Sequence, residues 1–155
     1  MQPVPRKGLL SPEECLAVLK ECPVACLATL GPDGEPCVTP VHFAAADGVL
    51  YVHGGKEASR HRNVARDPRV SLSAYLGGAL CHADGPCDTM TFYRSVSVTG
   101  TARMVTDSAG RSAALDALVL KYTPRHAGKP YPEDALEITA VMAVVPSSVT
   151  GKSFS

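Results

Sequence analysis

The chain has 155 residues, with 15 Lys plus Arg balanced by 15 Asp plus Glu. That length fits one domain over residues 1–155 with one core, and the balanced charge gives no basic field of the kind that draws nucleic acid. The leading residues lack the apolar core of a secretion signal and no run approaches the ~20 apolar residues of a membrane span, so a soluble, cytoplasmic protein with no membrane partner is expected.

In chain order, Ser11-Pro12-Glu13-Glu14 predicts a helix start. Ser11 can cap it, Pro12 suits the first helical position and Glu14 completes a capping box. Cys15, Leu16, Val18 and Leu19 follow at helical spacing, and Pro23 ends the element. Val24 to Thr29 reads as a strand, Gly31-Pro32-Asp33-Gly34 as a turn, and Cys37 to Phe43 as a second strand. Pro40 cannot donate to a ladder, which puts that strand at an edge or a bulge. Ala46-Asp47-Gly48 then turns the chain into a third strand, Val49-Leu50-Tyr51-Val52.

The residues from His53 to Pro68 form the stretch richest in chemistry. The strand ends at His53 and Gly54-Gly55, and a short helix opens near Glu57 or Ala58 with Ser59, Arg60, His61 and Arg62 in its first turns. Asp67-Pro68 closes it. A strand running through glycines into a helix start rich in Ser and Arg gathers backbone N–H groups, the positive helix end and guanidinium donors at one point. Phosphate is the anion expected there; a solvated basic helix between two strands is the alternative.

Arg69 to Tyr75 is predicted as a fourth strand and Gly77 to Thr91 as a loop. Tyr93 to Val105 is the longest strand candidate, kinked at Gly100. A helix over Ser108–Tyr122 presents Ala114, Leu115, Leu118 and Val119 on one face. Thr123 to Pro132 reads as an unpacked loop, Pro132 to Leu136 as a turn of helix, and Ile138 to Val145 as the last strand, with Thr150-Gly151-Lys152 just past it. Six short strands with peripheral helices and no βαβ alternation indicate a mainly β (α+β) chain built as a small antiparallel barrel. The six cysteines suit reduced thiols better than a disulfide framework. Cys22/Cys26 and Cys81/Cys87 lack paired zinc spacing, which leaves a site at Cys81, His82 and Cys87 as a minor alternative.

Several blocks together resemble one family. They are Leu27-Ala28-Thr29, the Asp33-Gly34 turn, Pro36-Cys37-Val38-Thr39-Pro40-Val41-His42-Phe43, Asp47-Gly48 leading into Leu50-Tyr51-Val52-His53, Ser59-Arg60 with Asp67-Pro68-Arg69-Val70, Tyr93-Arg94-Ser95-Val96 with Gly100, and Thr150-Gly151-Lys152. In order and spacing the chain resembles the FMN-binding split-barrel proteins related to pyridoxamine 5'-phosphate oxidase, in particular their nitroimidazole-resistance branch. The resemblance implies a six-stranded antiparallel split β-barrel of Greek-key type, a homodimer, and FMN (or FAD or a deazaflavin) at the subunit interface.

Carried over by position, the strand Val38, Thr39, Pro40 and Val41 would line the flavin ring, and Ser59 with Arg60 would hold the phosphate. Relatives usually carry Arg-Lys where this chain has Ser59-Arg60, which leaves one cation fewer unless Lys56 or Arg62 takes its place. Tyr93, Arg94 and Ser95 would approach from the partner subunit, with Lys152 returning toward the flavin. His53 would face the cleft as the catalytic candidate, and His42 either lines the pocket or sits at the surface. The implied activity is electron transfer from a reduced nicotinamide, or a similar donor, to a small acceptor such as a nitroaromatic. A non-catalytic flavin- or haem-binding module and a pyridoxamine 5'-phosphate oxidase-type enzyme are the alternatives.

Overall fold

The computed structural model describes residues 7–82, 85 and 87–154. Residues 1–6, on which part of the secretion-signal reading rests, lie outside them, as do Ala83, Asp84 and Pro86 of the expected loop. Helix α1 (Pro12–Glu21) starts as its sequence dictates: the Glu14 N–H donates to Ser11 Oγ at 3.2 Å and the Ser11 N–H to Glu14 Oε2 at 2.7 Å. Cys15, Val18 and Leu19 are buried beneath it, while Leu16 stays exposed.

Strand β1 (Lys7–Leu9) precedes the helix; β2 (Ala25–Leu30), β3 (Pro36–Val41), β4 (Phe43–Ala46) and β5 (Val49–Gly55) come after it. The Asp47-Gly48 hairpin between β4 and β5 has both central residues at positive φ, 51° and 76°, as a two-residue turn of primed type needs. Helix α2 (Ser59–Arg66) leads to β6 (Arg69–Cys81) and β7 (Met90–Met104). Then come α3 (Ser108–Tyr122), a 3-10 turn at Pro124–His126, α4 (Glu133–Ile138) and β8 (Thr139–Phe154).

The strands form one antiparallel sheet in the order β3-β2-β6-β7-β8-β5-β4, with β1 paired to the far end of β8. The two outermost strands, β3 and β4, are consecutive in the chain and joined through His42 alone. In a flat sheet their six inter-strand spacings of ~4.8 Å would hold them ~29 Å apart. Val41 and Phe43 are only two Cα steps of ~3.8 Å from each other. The sheet therefore rolls until its edges meet at His42, yet no ladder joins β3 to β4. That is an α+β split barrel, open along one seam.

Leu27, Phe43, Val52, Leu72, Val96, Val98, Met142 and Val144 fill the barrel, and α1 plugs it. A second cluster lies outside the barrel wall, where Ala114, Leu115 and Leu118 of α3 cover Ala44, Val141 and Ala143.

Among the described residues eight strands are present rather than the six expected. The run Cys37–Phe43 is two strands because the chain changes sheet edge at His42. The expected loop from Gly77 to Thr91 is largely hairpin, with Leu80 paired to Thr91 and Cys81 to Met90. Both faces of its β6 arm from Gly77 to Leu80 are accessible, so the backbone ladder holds it without an alternating apolar pattern. Strand β8 runs on through Lys152, past a bulge where Gly100 faces Pro146 and Thr99 faces Ser148. A Cβ at Gly100 would meet the Val145 carbonyl there, which accounts for the glycine at the kink. The stretch from Thr123 to Pro132 does pack, because Tyr131 rests on the outer cluster and donates to Asp116 Oδ1 at 2.6 Å. No helix among the described residues is long and apolar enough to cross a membrane.

Candidate functional site

The seam brings His42, His53 and the start of α2 together. Phe43 pairs with Val52, so His42 sits across from His53, with ring centroids 6.4 Å apart. On its other side His42 packs on the Tyr122 ring at 4.6 Å. Tyr122 fixes the corner: its hydroxyl accepts from the Phe43 N–H at 2.9 Å and has the Pro23 and Phe43 carbonyls within 2.9 Å for its proton. Burial first, then His42 and Arg60, hold His53 below the usual imidazole pKa, so it is neutral at neutral pH.

Helix α2 begins at Ala58, which has no side-chain oxygen to cap it, and its first turn carries no carboxylate. Among the described residues the backbone N–H groups of Ser59 and Arg60 meet no acceptor, leaving donors aimed outward along the positive end of the helix dipole. Asn63 Nδ2 donates to Thr29 Oγ1 at 3.0 Å in the interior, tying α2 to β2.

Arg60 folds back over Gly54, and its Nη2 donates to the His53 carbonyl at 3.3 Å. Any Cβ on residue 54 would overlap that guanidinium. Its Nε is buried with no partner. Burial pulls the arginine pKa down, though a guanidinium remains cationic. His61, only 5% exposed, has no aligned partner for either ring nitrogen. The Lys56 and Gly55 carbonyls lie close enough to favour its proton, but burial and Arg60 outweigh them and lower its pKa. Unpartnered donors around a glycine cradle fit a phosphate. Each charge-assisted hydrogen bond there contributes roughly 1.5–3 kcal/mol.

The sequence-predicted residues fall into two groups. Val38, Thr39, Pro40 and Val41 lie on the edge strand beside the seam, with Val38 63% exposed and Val41 buried. His53, Ser59 and Arg60 gather at its foot. Arg62 is turned away, its Nη1 donating to the Glu57 carbonyl at 2.8 Å, and Lys56 faces a separate cavity shared with Arg111. The second group is Tyr93, Ser95 and Lys152, on the outer face of β7 and β8, where Ser95 pairs with Lys152 and Tyr93 stacks on Tyr75 at 5.8 Å. Arg94 points to the opposite face and donates to Glu21 Oε2 at 2.8 Å. Ser95 lies nine residues before Met104, which is level with Val52 next to His53, or roughly 30 Å along the strand. One chain does not bring the two groups together.

Sequence reasoning missed Tyr122, which appeared only as the end of a helix, and the burial of His61. The Gly54-Gly55 pair was the one local signal for the cradle. A cavity of about 510 Å³ lies elsewhere, between α1 and the β4–β5 hairpin. Its wall is mainly apolar, with Leu10, Leu16, Leu19, Val49 and Val149 among the lining residues, and Lys20 and Asp47 are the charged ones among the described residues. Convergent donors, rather than cavity volume, place the candidate site at the seam. Among the described residues, no three of His, Cys, Asp and Glu converge as a metal site.

By fold the chain is an α+β split barrel, and its seam ends in an uncapped helix start and a half-buried arginine. Residues 11–153 match the family model described as pyridoxamine 5'-phosphate oxidase, and the chain belongs to that family. Its fold is similar to that of a candidate 5-nitroimidazole antibiotic resistance protein from Bacteroides thetaiotaomicron, with TM-score 0.82 and 21% identity over 98% of this chain and 90% of that one. It is also similar to an FAD-binding protein from Mesorhizobium loti, with TM-score 0.68 and 25% identity over 99% and 100% of the two chains. A third likeness is to an FAD- and haem-binding protein from Mycobacterium smegmatis, with TM-score 0.84 and 23% identity over 95% and 72%. Comparison with curated protein sequences finds no significant match.

Proposed function

We propose that this chain is a flavoprotein that holds FMN in the seam and passes electrons from a reduced nicotinamide, or a similar donor, to a small acceptor such as a nitroaromatic. One observation carries the reading: a half-buried arginine, two free helix-start N–H groups and a side-chain-free glycine converge beside an unpaired strand edge. Bound flavin supplies the redox chemistry, accepting reducing equivalents from one partner and giving them to the next.

The chain's own residues bind and orient it. Arg60 and the α2 start hold the phosphate, with the Ser59 hydroxyl beside them. Strand β3 gives the ring a flat wall, and the outward N–H and C=O groups of an edge strand meet the polar edge of the ring. His53, neutral and half-buried at the end of β5, is placed to give or take a proton there, with His42 as its neighbour toward solvent.

A second copy of the chain completes the site. Pro40, Cys26, Ser73, Ser97 and Thr150 form one exposed cross-strand row of small residues, a flat face on which another barrel can pack closely. That packing lets the partner bring Tyr93, Ser95 and Lys152 over the flavin and exclude water. Arg94, engaged with Glu21, acts from behind that strand.

A second reading, a flavin- or haem-binding module without turnover, is favoured by His42 and His53 standing together at the seam, because imidazole is a common haem ligand. One pair of experiments separates the two. The protein as purified should show flavin absorbance, with FMN identified by mass after release, and anaerobic NADH or NADPH should bleach it. A haem Soret band, or a flavin that stays oxidised with every donor, would favour the module.

A further inference from the structure

A second cationic cavity lies just across Gly54-Gly55 from Arg60. It has a volume of about 190 Å³, and Lys56, Arg111, Thr106 and Thr139 supply its polar wall with no carboxylate among the lining residues. The Lys56 N–H donates to the Ile138 carbonyl at 3.0 Å, which fixes its backbone at the lip. Arg111 Nη2 donates to the Leu136 and Thr139 carbonyls at 2.7 and 3.0 Å, while its Nε is buried without a partner.

Two of the carboxylates adjacent in sequence to lining residues have partners of their own. Asp107 caps α3 through the Gly110 N–H at 2.7 Å, and Glu57 pairs with Arg62. Two cations sharing a small cavity repel each other unless an anion joins them. The ridge toward Arg60 is made of glycine. A Cβ at Gly55 would meet nothing within 4 Å, so the backbone there is open to a ligand crossing from one cationic site to the other.

We propose that the Lys56–Arg111 cavity is a second phosphate subsite, which takes a further phosphate of the ligand system anchored at Arg60; this rests on flavin binding at the seam. Two sources offer that chemistry: the adenylate phosphate of FAD, reached across the glycine ridge, or a phosphate on the substrate that meets bound FMN. Donors border the cavity from both sides, from α3 and from the β5–α2 turn, and so can share the oxygens of one phosphate.

The test compares FMN and FAD titrations of wild type, Lys56→Gln and Gly55→Val, with inorganic phosphate as a separate probe. Lys56 is exposed and Gly55 has no positive φ, so both variants should fold. If FAD supplies the phosphate, Lys56→Gln weakens FAD about tenfold and leaves FMN within about twofold, and Gly55→Val weakens FAD more than FMN by blocking the ridge. If a substrate supplies it, inorganic phosphate raises the melting temperature of FMN-loaded wild type but not of FMN-loaded Lys56→Gln. Either result supports the subsite.

Equal losses of FMN and FAD would assign Lys56 to the Arg60 phosphate and overturn the proposal. Unchanged flavin affinities with no Lys56-dependent phosphate response would overturn it as well. Wild type that binds no flavin at all would instead sink the flavin reading. Phosphate stabilisation of that flavin-free protein, lost in Lys56→Gln, would still support the cavity as an anion site, and its absence would remove both.

Discussion

His61 is the imidazole that gains least from its position. It is buried, its ring nitrogens lack aligned partners, and Arg60 is next to it, so folding favours its neutral form. The unfolded chain then binds more protons than the folded one as pH falls through the ordinary imidazole value of 6.5. Stability should therefore be present at neutral pH and decline on acidification. His53 contributes in the same direction, whereas Asp67, held near pKa 2 by hydrogen bonds from Arg69, titrates far below that window. Urea unfolding at about pH 7 and about pH 5 should show a smaller loss of stability for His61→Leu than for wild type. Equal losses in both would mean that His61 is not the group responsible.

At the scale of elements, α2 and the end of β5 act as one unit, because Arg60 occupies the space left by the missing side chain of Gly54. Arg60→Ala should weaken FMN retention with little effect on the melting temperature. Gly54→Ala should reproduce most of that loss by displacing the guanidinium without removing it. A titration in which Gly54→Ala binds FMN as well as wild type would show that the cradle geometry is not what holds the phosphate. This unit was legible in the sequence as glycines followed by a Ser-Arg helix start, since backbone freedom and charge are written locally. Helices α1 and α3 were equally legible, because Ser11, Glu14 and Asp107 carry their start signals in their own side chains. The β6–β7 arms and the second half of β8 were not, because ladder pairing between exposed segments leaves no apolar period. The break at His42 was hidden for another reason: it depends on which sheet edge each strand joins, and no run of neighbouring residues records that.

For the whole molecule, the proposed site falls into two groups of residues, which one chain presents at separate ends of the sheet. The resemblance to a family suggested both groups from the sequence, but their separation along β7 emerges only from the register of β5, β8 and β7. If a partner subunit closes the gap, defects in the two halves must complement each other. Arg60→Ala damages the phosphate end of the chain that carries it. A Tyr93→Ala, Lys152→Ala double variant damages the face that chain offers to its partner. Each variant alone should purify with little flavin. Co-expressed and randomly paired, half of the dimers are mixed, and each mixed dimer has one site with both halves intact, so flavin content should recover to about a quarter of wild type. Because Tyr93 and Lys152 sit on an exposed face, the double variant should keep the monomer fold, which circular dichroism would check. Recovery of flavin requires the two halves to come from different chains. No recovery in mixed dimers that demonstrably form would place the whole site within one subunit, with β3, His53 and Arg60 holding the flavin unaided.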